Sequence, residues 1–255
     1  MSILLVDIGN SRAKCAVLRG QKLGAARAFP HGSGGASLAA LVRAAPRDVT
    51  RVIAVSVAGT RRERALAAAV KSRFGLGTEF IRSARSAGGV RNGYRDVWRL
   101  GADRWVAVIG AHALAGARAA LVVNIGTAMT IDAVTARGRH LGGAIAPGPT
   151  LMYESLLAGT QGIRKRAQGA RPKNGRQLFA TDTASALAAG AAFACAALVD
   201  RAVAEAARTE AARPLLLLTG GAAGALAPYI KSGFRHIPDL VLRGLAVLAR
   251  SSADS

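Results

Sequence analysis

A chain of 255 residues with 51% hydrophobic and 19% charged residues buries enough apolar surface to offset the ordering of its backbone, which excludes global disorder. Thirty-five Lys and Arg against 14 Asp and Glu give a net charge of +21 and favour anionic partners. The basic residues are scattered rather than blocked and aromatics are only 4%, which speaks against a nucleic-acid module. From the N-terminus, Leu4–Val6 is an apolar run that stops at the turn Asp7-Ile8-Gly9-Asn10, and Ala13–Leu18 resumes an extended pattern. Ser37–Ala45 reads as helix, Val52–Val57 as buried strand, Arg61–Phe74 as helix, and Arg82–Tyr94, polar and glycine-containing, as loop. Gly101–Ala117 reads as an Ala/Val-rich helix with Asp103 in its first turn, and Leu121–Val123 opens a second strand set. Further on, Thr183–Val199 reads as a buried helix and Leu215–Leu218 as an apolar run ending in Thr219-Gly220-Gly221.

Two cysteines, Cys15 and Cys195, supply no disulfide framework and suit a reducing cytoplasm. The opening residues reach Asp7 without a basic region or a long apolar core, so they do not read as a signal peptide. The uncharged stretches Thr183–Val199 and Pro214–Ile230 fall short of the roughly 20 apolar residues a spanning helix needs, so no membrane association is expected.

The two strand sets resemble each other. LLVDIGNSRAKCAV (Leu4–Val17) aligns without a gap on LVVNIGTAMTIDAV (Leu121–Val134), placing Ile8-Gly9 on Ile125-Gly126 and Asp7 on Asn124. Each unit is an apolar strand, a glycine turn and a returning strand, so duplication predicts two similar α/β halves with a cleft between them, divided as 1–117 and 118–255. Glycine turns bring backbone N–H groups close to a ligand and form anion-binding nests. The first turn adds a carboxylate at Asp7, the polar Asn10 and Ser11, and a cation at Lys14, a set suited to a magnesium-bound polyphosphate, with Asp7 facing the metal through water. The partner turn Gly126-Thr127-Ala128 and the downstream Asp132, a further candidate metal residue, strengthen that reading. Gly220 and Gly221 offer a side-chain-free surface at a strand end for adenine or ribose. Neither GxxxxGK[ST] nor a GxGxxG opening a helix is present.

In this order DIGNSRAK, NGYRDVWRLGADRW, NIGTAMTIDAV with LGGAIAPG, TGG and the terminal PDLVLRGL resemble the type III pantothenate kinases over essentially the whole length. The resemblance implies a duplicated actin-like α/β fold of the acetate and sugar kinase/Hsp70/actin superfamily. It further implies a homodimer with shared active sites and ATP-dependent phosphorylation of pantothenate, the first step of coenzyme A synthesis. Carried onto this chain, Asp7, Ile8, Gly9, Asn10, Ser11, Arg12, Ala13 and Lys14 would form the ATP phosphate segment, and Thr127 would add an ATP contact. Asp103 would accept the proton of the pantothenate hydroxyl. Tyr94, Gly101, Ala102, Asp103 and Arg104 would bind pantothenate, Arg104 pairing with its carboxylate, and Thr183 would reach substrate from the neighbouring subunit. Relatives carry Asp at the position of Asn124, implied to hold a potassium or ammonium ion; Asn keeps a carbonyl oxygen but loses the charge. An actin-like kinase with another small acceptor, and a non-catalytic nucleotide- or DNA-binding accessory protein on the same fold, stand as alternatives. Asp103 discriminates against the latter, which has no use for a proton acceptor.

Overall fold

The computed structural model describes residues 1–30, 36–169, 177–210 and 212–251. Packing separates the chain into two compact units: Met1–Gly116 with Ala136–His140 and Asp239–Ser255, and Ala117–Thr135 with Leu141–Pro238.

The first unit begins with β1 (Ser2–Ile8), β2 (Arg12–Arg19), β3 (Lys22–Leu23) and β4 (Arg27–Pro30), followed by α1 (Ala36–Arg43), β5 (Val49–Ser56), α2 (Thr60–Phe74) and β6 (Glu79–Phe80). The strands lie in the order β3-β2-β1-β5-β6, with β4 also paired to β2; β1 is antiparallel to β2 and parallel to β5. Alternation along β1 sends Leu4, Val6 and Ile8 into a core with Leu38, Leu41, Leu66 and Val70 of α1 and α2, leaving Asp7 on the opposite face. Each such fully buried aliphatic side chain contributes about 1.5–3 kcal/mol relative to exposure. α2 ends at Gly75, whose left-handed φ of 72° turns its N–H back to the Lys71 carbonyl.

The segment expected as loop contains a small hairpin, β7 (Ser86–Ala87) and β8 (Val90–Arg91), joined by Gly88 and Gly89 with φ of 54° and 76°. Positive φ at both central residues is what a two-residue hairpin turn needs, so the Gly-Gly pair, not the polarity around it, was the informative signal. A 3-10 turn, Val97–Arg99, leads to α3 (Ala102–Ala115), which ends at Gly116.

The second unit contains β9 (Ala120–Ile125), β10 (Ala128–Val134), β11 (His140–Pro147), α4 (Pro149–Gly159), α5 (Gln161–Ala167), α6 (Thr183–Glu210), β12 (Leu215–Thr219), α7 (Ala223–Leu226) and β13 (Arg235–His236). Its strand order, β11-β10-β9-β12-β13, repeats the first unit's pattern: an antiparallel hairpin whose first strand runs parallel to a later one. The duplication therefore extends to topology, but the ungapped alignment needs correction. Three residues separate β1 from β2 and only two separate β9 from β10, so Arg12 matches Ala128 and Lys14 matches Thr130. The burial sequence exposed, buried, intermediate, buried, buried, intermediate, buried then coincides residue for residue along β2 and β10.

Among the described residues α6 is the one helix long and apolar enough to cross a membrane. Here its Cys195, Ala196, Val199 and Val203 pack with Leu121, Val123 and Ile131 in the core of the second unit.

The chain then returns to the first unit as α8 (Leu240–Ser251), which packs on α3 and β1. Two glycines permit the α3–α8 approach: a Cβ on Gly110 would lie 2.7 Å from the Leu240 carbonyl oxygen, and one on Gly244 would collide with the carbonyl of Val106.

Candidate active site

In the first unit, β1 delivers Asp7 beside the Gly9–Ser11 turn, and the antiparallel register sets Lys14 opposite it. The turn is closed by the Gly9 N–H donating to the Arg12 carbonyl at 3.1 Å. From α2, Arg62 Nη1 donates to the Asn10 carbonyl at 3.2 Å. Asn10, Ser11 and Arg12 are exposed, Gly9 and Lys14 half-buried, and Ile8 and Ala13 buried, so the outer part of the turn faces solvent while its ends anchor in the core. Burial, reinforced by the negative charge of Asp103 and opposed by Lys14, pushes the Asp7 carboxyl up to about 7. Two carboxylates close enough to feel each other beside one lysine form a site that gains from a cation, so this donor set fits magnesium.

α3 begins just after Gly101, whose carbonyl accepts the Trp105 N–H at 2.9 Å. Asp103 stands in its first turn, where a carboxylate is favoured by the helix dipole, and its Oδ1 accepts the Arg104 N–H at 2.8 Å. A Cβ at position 101 would lie 2.9 Å from that oxygen, so glycine there gives the carboxylate its room. Arg104, only 6% exposed, donates from Nη1 to the Tyr94 hydroxyl at 3.2 Å. Ala102, between Gly101 and Asp103, is half-buried. Asp7, Lys14, Tyr94, Gly101, Asp103 and Arg104 all belong to the first unit.

In the second unit, Asn124, next to last in β9, lies opposite Thr130, and the Gly126-Thr127 turn follows, its Thr127 exposed. The Gly148 N–H donates to the Thr127 carbonyl at 2.8 Å, and the Ala222 N–H to the Ile125 carbonyl at 3.0 Å. Gly220 has φ of 97°, and a Cβ there would lie 2.6 Å from the Asn124 side-chain oxygen. The NIGT, PG and TGG segments, separated by up to about 90 residues in sequence, thus converge at one end of this sheet, with Gly221 exposed beside Gly220. Asp132 lies elsewhere. It is 2% exposed inside β10, two residues beyond Thr130 from the turn, and the corrected register matches it to Ala16. Among the described residues no group of three or more His, Cys, Asp or Glu is gathered as a metal centre. Thr183 begins α6 and lines a hollow of about 510 Å³ with Met152, Leu156, Ile163 and Leu187.

Sequence reasoning missed three residues around these groups. Arg62 fixes the turn from α2 and is visible only through its non-local hydrogen bond. Asn92 is 4% exposed: its Oδ1 accepts the Tyr94 N–H at 2.9 Å and its Nδ2 donates to the Ala84 carbonyl at 3.2 Å. The Asn two residues before Tyr94 was a readable turn signal. His140 stacks on the Tyr94 ring at 5.9 Å between centroids and 13° between planes, a contact no local pattern announces.

The chain matches the family model described as Type III pantothenate kinase over residues 3–205. It is 39% identical over 249 residues to a type III pantothenate kinase of Alkalilimnicola ehrlichii, covering 98% of both chains. Against one of Aromatoleum aromaticum it is 41% identical over 256 residues, covering 98% of this chain and 99% of that one. Among solved structures, it is similar to a protein described as a Baf family transcriptional activator from Campylobacter jejuni (TM-score 0.63, 20% identity, 99% of this chain and 100% of that one). A second, described as a 2-dehydro-3-deoxygalactonokinase protein from Sinorhizobium meliloti, has a TM-score of 0.59 at 18% identity, covering 98% of this chain and 99% of that one. At such identities these structures speak to fold alone, and the fold is the two-part actin-like one.

Proposed function

The chain belongs to the type III pantothenate kinase family, and from that premise we propose that it transfers the γ-phosphoryl group of ATP to the hydroxyl of pantothenate, yielding 4′-phosphopantothenate and ADP as the first step of coenzyme A synthesis. The observation that carries the reading beyond family membership is the grouping in one unit of a helix-start carboxylate, a buried arginine tied to a tyrosine hydroxyl, and an Asp–Lys pair at a glycine turn. Arg104 offers a guanidinium to the pantothenate carboxylate, Tyr94 borders the same substrate, and Asp103 holds the hydroxyl. As the hydroxyl oxygen bonds to the γ-phosphorus and the bond to the departing ADP oxygen breaks, the hydroxyl proton passes to Asp103. Phosphoryl transfer runs through a loose transition state, so positioning and charge neutralisation supply most of the rate, and Asp103 acts late. Lys14 and the exposed turn residues Asn10, Ser11 and Arg12 face the phosphates. Asp7 would hold magnesium through water, and the ion would neutralise further phosphate charge; Asp132, closed off from solvent, is the poorer candidate. Thr127, Gly220 and Gly221 are further nucleotide contacts.

Three finer readings accompany this one. Asn124 holds a monovalent cation weakly, because its amide oxygen, packed beside Gly220, brings no negative charge. The α4–α6 face that carries Thr183 and the exposed Leu151 and Leu156 meets a second copy of the chain, so that Thr183 completes the neighbour's site. The enzyme works in the cytoplasm, where its two buried cysteines stay reduced. A coupled assay of ADP formation from MgATP, with and without pantothenate and in several monovalent salts, tests the main reading. Turnover that does not depend on pantothenate in any salt would overturn it, and sedimentation showing an active monomer would remove the shared site.

A further inference from the structure

Tyr94 is half-buried, and its orientation is determined from several sides within the first unit. Its backbone is tied down by Asn92 and by Arg85, whose Nη1 and Nη2 donate to the Tyr94 and Arg95 carbonyls at 3.3 and 3.2 Å. Its hydroxyl accepts a hydrogen bond from Arg104. Its ring lies between neighbours: the Arg104 guanidinium carbon is 5.8 Å from the ring centroid, and the His140 ring stacks nearly parallel to it. That histidine is 1% exposed and reaches this place because the hairpin joining β10 to β11 docks on β8. The Arg91 N–H donates to the Gly138 carbonyl at 2.8 Å, and Gly138, at φ of 75°, approaches the Gly89 carbonyl so closely that any Cβ would collide. The fold therefore sets aside two glycines to bring a flat, buried side chain against one face of Tyr94.

We propose that His140 is a positioning residue for the acceptor: by stacking on Tyr94 it holds the phenol ring where the hydroxyl keeps the Arg104 guanidinium aimed at the substrate carboxylate. An imidazole packed nearly parallel to a phenol is a shape constraint, and the offset stack seen here is one of the two arrangements, with edge-to-face, that aromatic pairs prefer at centroid separations of about 4.5–7 Å. Arg104 can hold an anion productively only if its fork is not free to swing, and the Tyr94 hydroxyl is a fixed point for that fork. The property of His140 that this role uses is its flat ring. The assignment rests on the proposed acceptor reading, and the experiment separates the two.

His140→Phe and His140→Leu both fill the space, but only Phe keeps a flat ring. Each is compared with the unchanged protein for KM of pantothenate, KM of ATP and kcat, and each is crystallised. H140F is expected to stay within about twofold of the unchanged KM for pantothenate, whereas H140L raises it about 5–10-fold, with KM for ATP unchanged in both. In the crystals Tyr94 keeps its ring plane in H140F and turns in H140L. Equal KM values for the two variants, or a rise in KM for ATP as large as that for pantothenate, would overturn the assignment. If the unchanged protein shows no pantothenate-dependent turnover, the acceptor reading falls by itself. The Tyr94 ring in the two crystals then decides the positioning role, and a ring unmoved in H140L ends it.

Discussion

Asp7 and Lys14 stand directly opposite one another across the β1–β2 pair, and the residues at the matching register in the second unit, Asn124 and Thr130, are uncharged. The duplicated hairpins have therefore diverged in chemistry while keeping their pairing. Only the first retains a carboxylate and an ammonium at the glycine turn, and it is the one whose unit also contains Asp103. The consequence is electrostatic: Asp7 is half-buried, desolvated and repelled by Asp103, and Lys14 offsets this in part.

An acid whose pKa is raised to about 7 in the folded state keeps its proton after the unfolded chain, at the ordinary 3.8, has lost its own. Between those values the unfolded state binds fewer protons, so the contribution of Asp7 to stability falls as pH rises from about 4 to about 7 and is flat above. Asp7→Asn removes this loss. Without metal or nucleotide, its Tm relative to the unchanged protein should therefore be higher at pH 8 than at pH 5, with about 2–4 °C for each kcal/mol recovered. Thermal melts at the two pH values check this, and a pH-independent difference would show that Asp7 titrates normally.

Asp103→Asn preserves shape and the oxygen that accepts the Arg104 N–H, but it cannot take a proton. Its kcat should drop by roughly 10²–10⁴-fold while MgATP binding, followed by calorimetry, stays near the unchanged value. A variant with nearly normal kcat would remove Asp103 from the proton transfer.

Asn124→Asp places a carboxylate next to Gly220. The unchanged protein should show a weak or altered dependence on monovalent cations, and N124D a stronger one. Rates in sodium, potassium and ammonium salts at equal ionic strength measure it, and a sharp potassium requirement in the unchanged protein would show that neutral oxygens suffice.

Gly244→Ala drives a methyl group into the Val106 carbonyl across the α3–α8 contact. The helices must separate or tilt, which costs about 1–3 kcal/mol in a packed interior. Urea unfolding should show a lowered midpoint. Gly233→Ala, a position where an added Cβ meets nothing within 4 Å, serves as the control and should leave the midpoint nearly unchanged.

Short apolar runs made β1 and β5 legible and helical spacing made α2 so, whereas α3, buried at every position from Arg104 to Ala111, was legible from its Ala/Val-rich length. The glycine turns, Asp103 and Arg104 were legible through motif order. Short-range pattern could not place residues that act through distant chain: His140 meets Tyr94 across 46 positions, Arg62 meets Asn10 across 52, and α8 completes the N-terminal unit from the far end of the sequence. The missing residue in the second hairpin turn was hidden for a different reason. Apolar strands use few residue types, so a one-residue slip still matched Ala-Val to Ala-Val until pairing fixed the register.

The docking of α8 also orders events in time. Arg51, on β5, donates to the Ala249 carbonyl at 3.3 Å, and Arg250 donates to the Gln21 carbonyl at 2.7 Å, so these two contacts form only after the residues near position 250 have been made. Loop-closure entropy across some 200 residues must be overcome before these contacts give any return. During synthesis the β1–β2–β5 sheet would therefore leave the ribosome with the side that receives α3 and α8 only half covered. Asp7 sits on the face of β1 opposite the Leu4, Val6 and Ile8 core, so the strand that bears it gains its α8 covering only once the segment near position 250 has been made.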